Sequence, residues 1–298
     1  MADLDEILTR IERALGERGA GPEPLDGGIT NRNYRAAFGG RDYVLRIPGR
    51  DTALLGISRD AERLAAAQAA RLRIGPALAY ADADCFVSDY VVAAPIEPAA
   101  LAGDPAPLAR ALRAFHDSGL ALPTRFWVPE LLDQYAGTVA RLGGTLPPAY
   151  RRAQALVERI AQALPLIEPV PCHNDLLAAN VLVLAGGRET LLVDWEYAAM
   201  GHRLFDLANL AVNNGFDELA EEQLLEAYFG VPAGAPTRAA LALMRIVSDA
   251  REAAWGVVQR LVSDIEFDFA GYAQRHFERL ARAAADPRLK GWLDAASA

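Results

Sequence analysis

The sequence predicts an α+β fold of two lobes, a small β-rich one over residues 1–91 and a larger, mainly helical one over 92–298. Three observations predict it. Strand-like runs paired around short turns concentrate at the N-terminal end. A stretch with four prolines, "AAPIEPAALAGDPAP", follows and reads as a hinge or linker. Beyond it the periodicity is helical almost to the end, broken by one pair of short apolar runs. A length of 298 residues suits this plan, because single cores stop growing at roughly 250–300 residues.

Taken in order, Leu4, Ile7, Leu8, Ile11 and Leu15 recur at helical spacing and predict an amphipathic helix over 3–17. "TNRNYRAAF" and "DYVLRI" flank Gly39-Gly40, a hairpin signal. Residues 58–72, rich in Ala, Leu, Arg and Glu and free of Gly and Pro, read as a helix. "ALAYAD" and "CFVSDYV" form a second strand pair. After the prolines, helices are expected over 106–117, 130–142 and 148–163. The strands "NVLVL" and "TLLVDW" are separated by Gly186-Gly187, and the chain from about 203 is helical.

Composition excludes several classes. The net charge of −9 argues against sequence-independent nucleic-acid binding, which needs Lys and Arg to displace counterions. It suits a small cationic partner better. Cys85 and Cys172 are the two cysteines, with no C-x-x-C, so neither a disulfide framework nor a zinc motif is indicated. The start "MADLDEILTR" is acidic and amphipathic rather than basic and then apolar, unlike a secretory signal. No stretch approaches the ~20 apolar residues of a membrane span. The expected compartment is the cytoplasm, with no membrane partner.

The chemistry concentrates in "CHNDLLAANVL" at 172–182. An acid followed five residues later by an asparagine, in a loop entering a strand, fits the phosphoryl-transfer pattern His-x-Asp-x-x-x-x-Asn. Asp175 would accept the proton of an attacking hydroxyl, and Asn180 would hold Mg2+ through its amide oxygen. A turn whose Asp and Asn cap local backbone groups is the alternative for this loop alone. The returning strand ends in "LLVDWEY", and the layout loop, strand, Gly-Gly turn, strand sets Asn180 and Asp194 at neighbouring strand ends, within reach of one metal ion. Trp195 and Glu196 stand where a protein kinase carries Phe-Gly, and Asp206 follows twelve residues after Asp194. That leaves no room for an activation loop and favours a small substrate. Asp206 either braces the catalytic loop or caps the helix from about 207. His173 braces the loop, since Asp175 already fills the role of base.

Upstream, Gly27 and Gly28 allow backbone N–H groups to approach phosphates, or they form a plain turn. Alternation in "YVLRI" puts Tyr43, Leu45 and Ile47 on one face and Val44 with Arg46 on the other. Arg46 is a cation able to grip phosphates, with Glu62 on the next helix as its expected partner; the alternative is that both are surface charges.

Together "GGITNRNY", "YVLRIPG", "ISRDAE", "CHNDLLAANVL", "VDWEYA", "FDLAN" and "WGVVQRLVSDIEFDFAGYAQRHFERL" resemble the choline/ethanolamine kinase family, of the aminoglycoside phosphotransferase and protein-kinase-like superfamily. The resemblance covers roughly residues 25 to 282. It implies a bilobal protein-kinase-like fold with a nucleotide-binding N-terminal lobe and a catalytic, substrate-binding C-terminal lobe. It implies an ATP-dependent kinase using Mg2+, with Asp175 as base and Asn180 and Asp194 as metal ligands. Backbone from 27–31, with Gly28, Thr30 and Asn31, would cover the phosphates, and Arg46 with Glu62 would orient them. The adenine would lie near Ser88 to Val91. Glu196, Tyr197, Glu252, Trp255, Phe267 and Tyr272 would line the substrate site.

The implied substrate is a small cationic alcohol, choline first, because aromatic faces recognise a trimethylammonium head by cation–π contact worth about 0.5–2 kcal/mol each. Asp264, Glu266 and Asp268 add a negative field there. Aromatics at helical spacing can equally be core. One departure bears on the alcohol: family members usually carry a second tryptophan three residues before Trp255, and here Glu252 stands in that place. Glu252 either pairs with a cation, favouring ethanolamine or thiamine, or lies in solvent. An aminoglycoside substrate, an inactive kinase-like binding module and a metal-dependent hydrolase are the other readings. The hydrolase is disfavoured by four histidines without a ligand pair.

Overall fold

The computed structural model describes residues 3–25, 31–49, 52–184 and 190–297, so Gly27, Gly28, Thr30 and the Gly186-Gly187 turn lie outside the described residues. The N-terminal part is an antiparallel sheet of β1 (Glu23–Leu25), β2 (Asn31–Phe38), β3 (Arg41–Pro48), β4 (Leu78–Ala81) and β5 (Phe86–Asp89), in the order β1-β2-β3-β5-β4. The β2–β3 hairpin closes on Gly39 and Gly40, both at positive φ (55° and 77°), the conformation a two-residue primed turn requires. A Cβ on Gly39 would also meet the Leu15 carbonyl oxygen at 2.5 Å. Helix α1 (Leu4–Leu15) buries Ile7, Leu8 and Ile11 against Phe38, Tyr43, Leu45 and Val87, making one small core. The alternation expected in β3 holds: Tyr43, Leu45 and Ile47 face this core, whereas Val44 and Arg46 face a cleft.

Helix α2 (Arg59–Arg71) is capped by Ser58, whose Oγ accepts from the Ala61 N–H at 3.3 Å. Its alanine face, Ala61, Ala65, Ala66 and Ala69, joins the core of the C-terminal part rather than that of the N-terminal sheet. The proline-rich stretch departs from the expected linker. Ala93–Pro95 form β6, paired with β8 (Val181–Leu184), and Pro98–Gly103 form helix α3, started by Pro98 at its first position. A neighbouring strand distant in sequence supplies the order that the local pattern did not announce.

Helices α4 (Ala106–His116), α5 (Val128–Arg141) and α6 (Pro148–Ala163) follow within about two residues of expectation. Strand β8 pairs with β9 (Thr190–Leu192), while β7 (Val170–Cys172) and β10 (Ala199–Gly201) form a separate antiparallel pair. The remainder is α7 (Arg203–Asn213), α8 (Glu218–Phe229), α9 (Ala235–Val262), α10 (Phe269–Ala284) and α11 (Leu289–Ala296). The 28-residue α9 runs through the centre and packs against α5, α6, α7, α10 and α11. It is buried along most of its length, its charged residues Asp249, Arg251 and Glu252 included. Among the described residues, no helix is long and apolar enough to cross a membrane.

Candidate active site

The loop after β7 is shaped by buried acceptors. Asp206, on the first turn of α7 and fully buried, accepts the N–H of His173 and of Asn174, each at 2.7 Å, and His116 Nε2 lies 3.0 Å from it. Asp206 therefore braces the loop, the first of the two roles its sequence position allowed. Asn209, one turn later, accepts the Leu176 N–H at 2.6 Å. His173 Nδ1 accepts the Asp175 N–H at 3.3 Å, so Nε2 carries the proton and donates to the Val193 carbonyl at 3.0 Å. Burial lowers the pKa of His173, which keeps it neutral, and its ring packs on Trp195 at 4.5 Å. A neutral bracing histidine ties the loop to the segment that carries Asp194.

Asn180 donates from Nδ2 to the Asp175 carbonyl at 2.9 Å and to Asp175 Oδ2 at 3.3 Å. Its Oδ1 is thereby the amide atom left for another partner. Val193 N–H donates to the Asn180 carbonyl at 3.0 Å, which holds the approach to Asp194 beside Asn180. Asp194 has φ of 63°, a left-handed conformation uncommon for a non-glycine residue and frequent at functional positions. Its carboxylate pairs with Arg46, and the other arm of Arg46 pairs with Glu62. The guanidinium also lies 5.1 Å from the Phe86 ring centre. Arg46 and Glu62 are buried, not surface charges. Arg59 holds the second oxygen of Glu62 at 2.6 Å.

Arg46, Asn180 and Asp194 line one cleft of about 490 Å³ between the N-terminal sheet and the β8–β9 strands. Val44, Ser88, Tyr90 and Val91 line its inner side. The cleft, a mostly apolar slot with charged groups at one end, can hold a flat base beside Ser88–Val91 and phosphates beside Arg46. Asn180 Oδ1 and the Asp194 carboxylate are hard oxygen donors, the set Mg2+ takes.

Asp175 sits beyond this end of the cleft. Burial raises its pKa to about 7, with Arg251 opposing and Glu252 and Asp194 adding to the rise. Arg251 Nη1 donates to Asp175 Oδ1 at 3.2 Å and to Glu252 Oε1 at 2.9 Å. Arg251 was not singled out in the sequence, yet it is the cation that touches the base. No local signal marks it, because an Arg-Glu pair inside a helix reads as solvated surface.

The aromatic residues also meet. Trp255 donates from Nε1 to Tyr197 Oη at 2.7 Å and packs edge-on with Phe269 and Tyr272, at 5.7 and 5.4 Å. Phe267 lies 6.0 Å from Tyr272. Glu252 is 2% exposed, so the solvent reading of this residue is overturned. Its Oε2 accepts from Tyr272 Oη at 2.8 Å and its Oε1 from Asn209 Nδ2 at 3.3 Å as well as from Arg251. Burial works against its charge, but Arg251, His276 and Tyr272 outweigh it and lower the pKa. Glu196 turns toward the N-terminal part, accepting from Asn31 Nδ2 at 2.9 Å with Arg59 Nη1 3.8 Å away. Burial, then Asp194, raises the Glu196 pKa to about 7. Asn31 and Glu196 thus bind each other across the two parts of the chain.

Comparisons with known proteins agree with this architecture. The model of the phosphotransferase enzyme family matches residues 22–243. Protein LicA of Haemophilus influenzae is 26% identical over 214 residues, which are 68% of this chain and 61% of that protein. The choline/ethanolamine kinase of Rattus norvegicus is 24% identical over 314 aligned residues, covering 86% of this chain and 78% of that one. Thus the chain spans about three fifths of the length of the Haemophilus relative. A crystal structure of a choline/ethanolamine kinase family protein from Mesorhizobium loti superposes with a TM-score of 0.78, at 29% identity and 98% coverage of both chains. The fold is the bilobal protein-kinase-like one that the resemblance implied.

Proposed function

We propose, from the premise that the chain belongs to the phosphotransferase enzyme family, that it moves the γ-phosphoryl group of ATP, with Mg2+, onto the hydroxyl of a small cationic amino alcohol. Choline is the first candidate, giving phosphocholine and ADP; ethanolamine, thiamine and an aminoglycoside follow. One observation carries the reading: Arg46, Asn180 and Asp194 converge at one end of a nucleotide-sized cleft, with Asp175 bonded to Asn180 just beyond it. An inactive binding module would have no use for all four. Residues 1–91 would bind the nucleotide, and 92–298 would supply catalysis and substrate contacts.

In this mechanism Asp175 receives the alcohol proton while the alcohol oxygen forms its bond to the γ-phosphorus. The bond from that phosphorus to the β,γ-bridging oxygen breaks, and ADP leaves. Asn180 and Asp194 would hold the metal, which supplies charge neutralisation on the phosphate oxygens. Arg46, fixed by Glu62, orients the phosphates from the sheet side. His173 and Asp206 hold the base loop, so most of the acceleration comes from positioning and electrostatics. For the cation, the support is the acidic surface at Asp264, Glu266 and Asp268 next to the 38%-exposed Phe267 ring. Arg251 favours a second reading of the alcohol, one that carries oxygen acceptors. The deciding experiment incubates the protein with ATP, Mg2+ and a panel of choline, ethanolamine, thiamine and an aminoglycoside, reading ADP release. Alcohol-dependent ADP release is expected, and its absence with every alcohol refutes the proposal.

A further inference from the structure

Arg251 is 1% exposed and lies between the base and the aromatic cluster, its Cζ 4.2 Å from the centre of the Tyr197 ring. A guanidinium at that distance occupies the cation–π position that an alkylammonium head would need. A second guanidinium, of Arg275, lies 6.0 Å from the Tyr272 ring centre. Trp255 is 4% exposed and has the edges of Phe269 and Tyr272 against it. Of the rings the family resemblance assigned to a choline cage, two carry the protein's own cations and the tryptophan is packed as core.

The hydrogen bonding of Arg251 points the same way. One nitrogen, Nη1, serves both Asp175 and Glu252. Nε and Nη2 are buried and have no partner among the described residues. Nε–H and Nη2–H are the parallel donors on the side of a guanidinium, the fork that matches two oxygens of one acceptor. Buried donors left unpaired are costly, so this fork calls for an acceptor. A trimethylammonium head has no acceptor to offer.

We infer that Arg251 is a specificity-determining residue of the acceptor site: it excludes trimethylammonium alcohols and binds, through Nε and Nη2, an alcohol bearing an oxygen acceptor close to its reacting hydroxyl. The inference rests on the phosphotransferase reading and sets aside choline, the first alcohol named for it, in favour of the oxygen-bearing one. A carboxylate and a neighbouring hydroxyl share the required chemistry, and the probes separate them.

The full chain is assayed with ATP and Mg2+ against choline, glycerol as the polyol arm and glycerate as the hydroxy-acid arm. An oxygen-bearing alcohol should be turned over with kcat/KM about tenfold or more above choline, the worth of one charge-assisted hydrogen bond. Arg251→Lys keeps the buried charge beside Asp175 and Glu252 but removes the fork. It should raise KM for the preferred alcohol about tenfold, with KM for ATP unchanged. The double variant Arg251→Phe, Glu252→Trp removes both charges together and should gain choline turnover. Choline preferred by the native chain overturns the inference while leaving the phosphotransferase reading intact, as does a preference that Arg251→Lys leaves unmoved. No ADP release with any alcohol defeats both.

Discussion

Asp206 accepts the backbone N–H of His173 at 2.7 Å from a fully buried position thirty-three residues away in sequence. The same carboxylate takes the Asn174 N–H and faces His116 Nε2, so three donors depend on it. Asp206→Ala should therefore cost about 3–5 kcal/mol, since each buried donor left unsatisfied costs about 1–3 kcal/mol. It should also slow turnover by about a hundredfold, because the base loop loses its anchor. Urea midpoints with steady-state rates on the soluble fraction check both. An unchanged midpoint would show that the loop holds its shape without Asp206.

Asp175→Ala separates chemistry from folding. Loss of a general base costs typically about 10²–10⁴ in rate. Asp175 is a carboxylate whose burial disfavours its charge, and Arg251 keeps Glu252 as a partner after the change. The thermal midpoint should stay level or rise while ATP-dependent phosphorylation disappears. Substantial remaining turnover would remove Asp175 from the role of base.

How far the sequence could be read follows from how far apart the partners lie. Asp175 and Asn180 are five residues apart on one loop, and the β3 alternation that aims Arg46 at the cleft spans five residues, so both were legible. The lobes, the long helices and the Gly39-Gly40 hairpin come from local periodicity and turn chemistry. Arg251 was not legible, because its partner Asp175 is seventy-six residues away and an Arg-Glu pair in a helix reads as solvated surface. Strand β6 was hidden by its prolines, which look like a linker until β8 supplies the pairing. Asn31 is bound to Glu196 and not turned freely to the cleft, a contact across 165 residues that no window of sequence contains. The aromatic residues at 255–272 meet one another, but the packing of Arg251 on Tyr197, fifty-four residues away in sequence, follows from tertiary contacts alone.

Arg46→Lys tests the link between the sheet and the metal end of the cleft. The guanidinium reaches Glu62 with one arm and Asp194 with the other. A lysine is a single point charge and cannot hold both in that geometry. KM for ATP should rise roughly tenfold, the worth of one charge-assisted hydrogen bond, with KM for the alcohol nearly constant. Equal increases in both constants would mean that Arg46 supports the whole cleft rather than the nucleotide.

Asp175 and Glu196 should make the metal-free protein less stable as pH rises toward neutrality, against the opposite contribution of His173 and His202, whose pKa values burial lowers. Burial lifts both Asp175 and Glu196 to about 7, from 3.8 and 4.5. Each therefore keeps its proton in the folded state over a window in which the unfolded chain has released it. By linkage, stability falls with pH wherever the folded state binds more protons, so their contribution is full below about 4 and is lost as pH climbs through about 7. Glu196→Gln removes one of the two groups and should flatten the slope of thermal midpoint against pH between 5.5 and 8. ATP with Mg2+ brings cationic charge to the neighbouring Asp194 and should flatten it further. A slope of midpoint against pH that Glu196→Gln leaves unchanged would show that Glu196 ionises at its ordinary value.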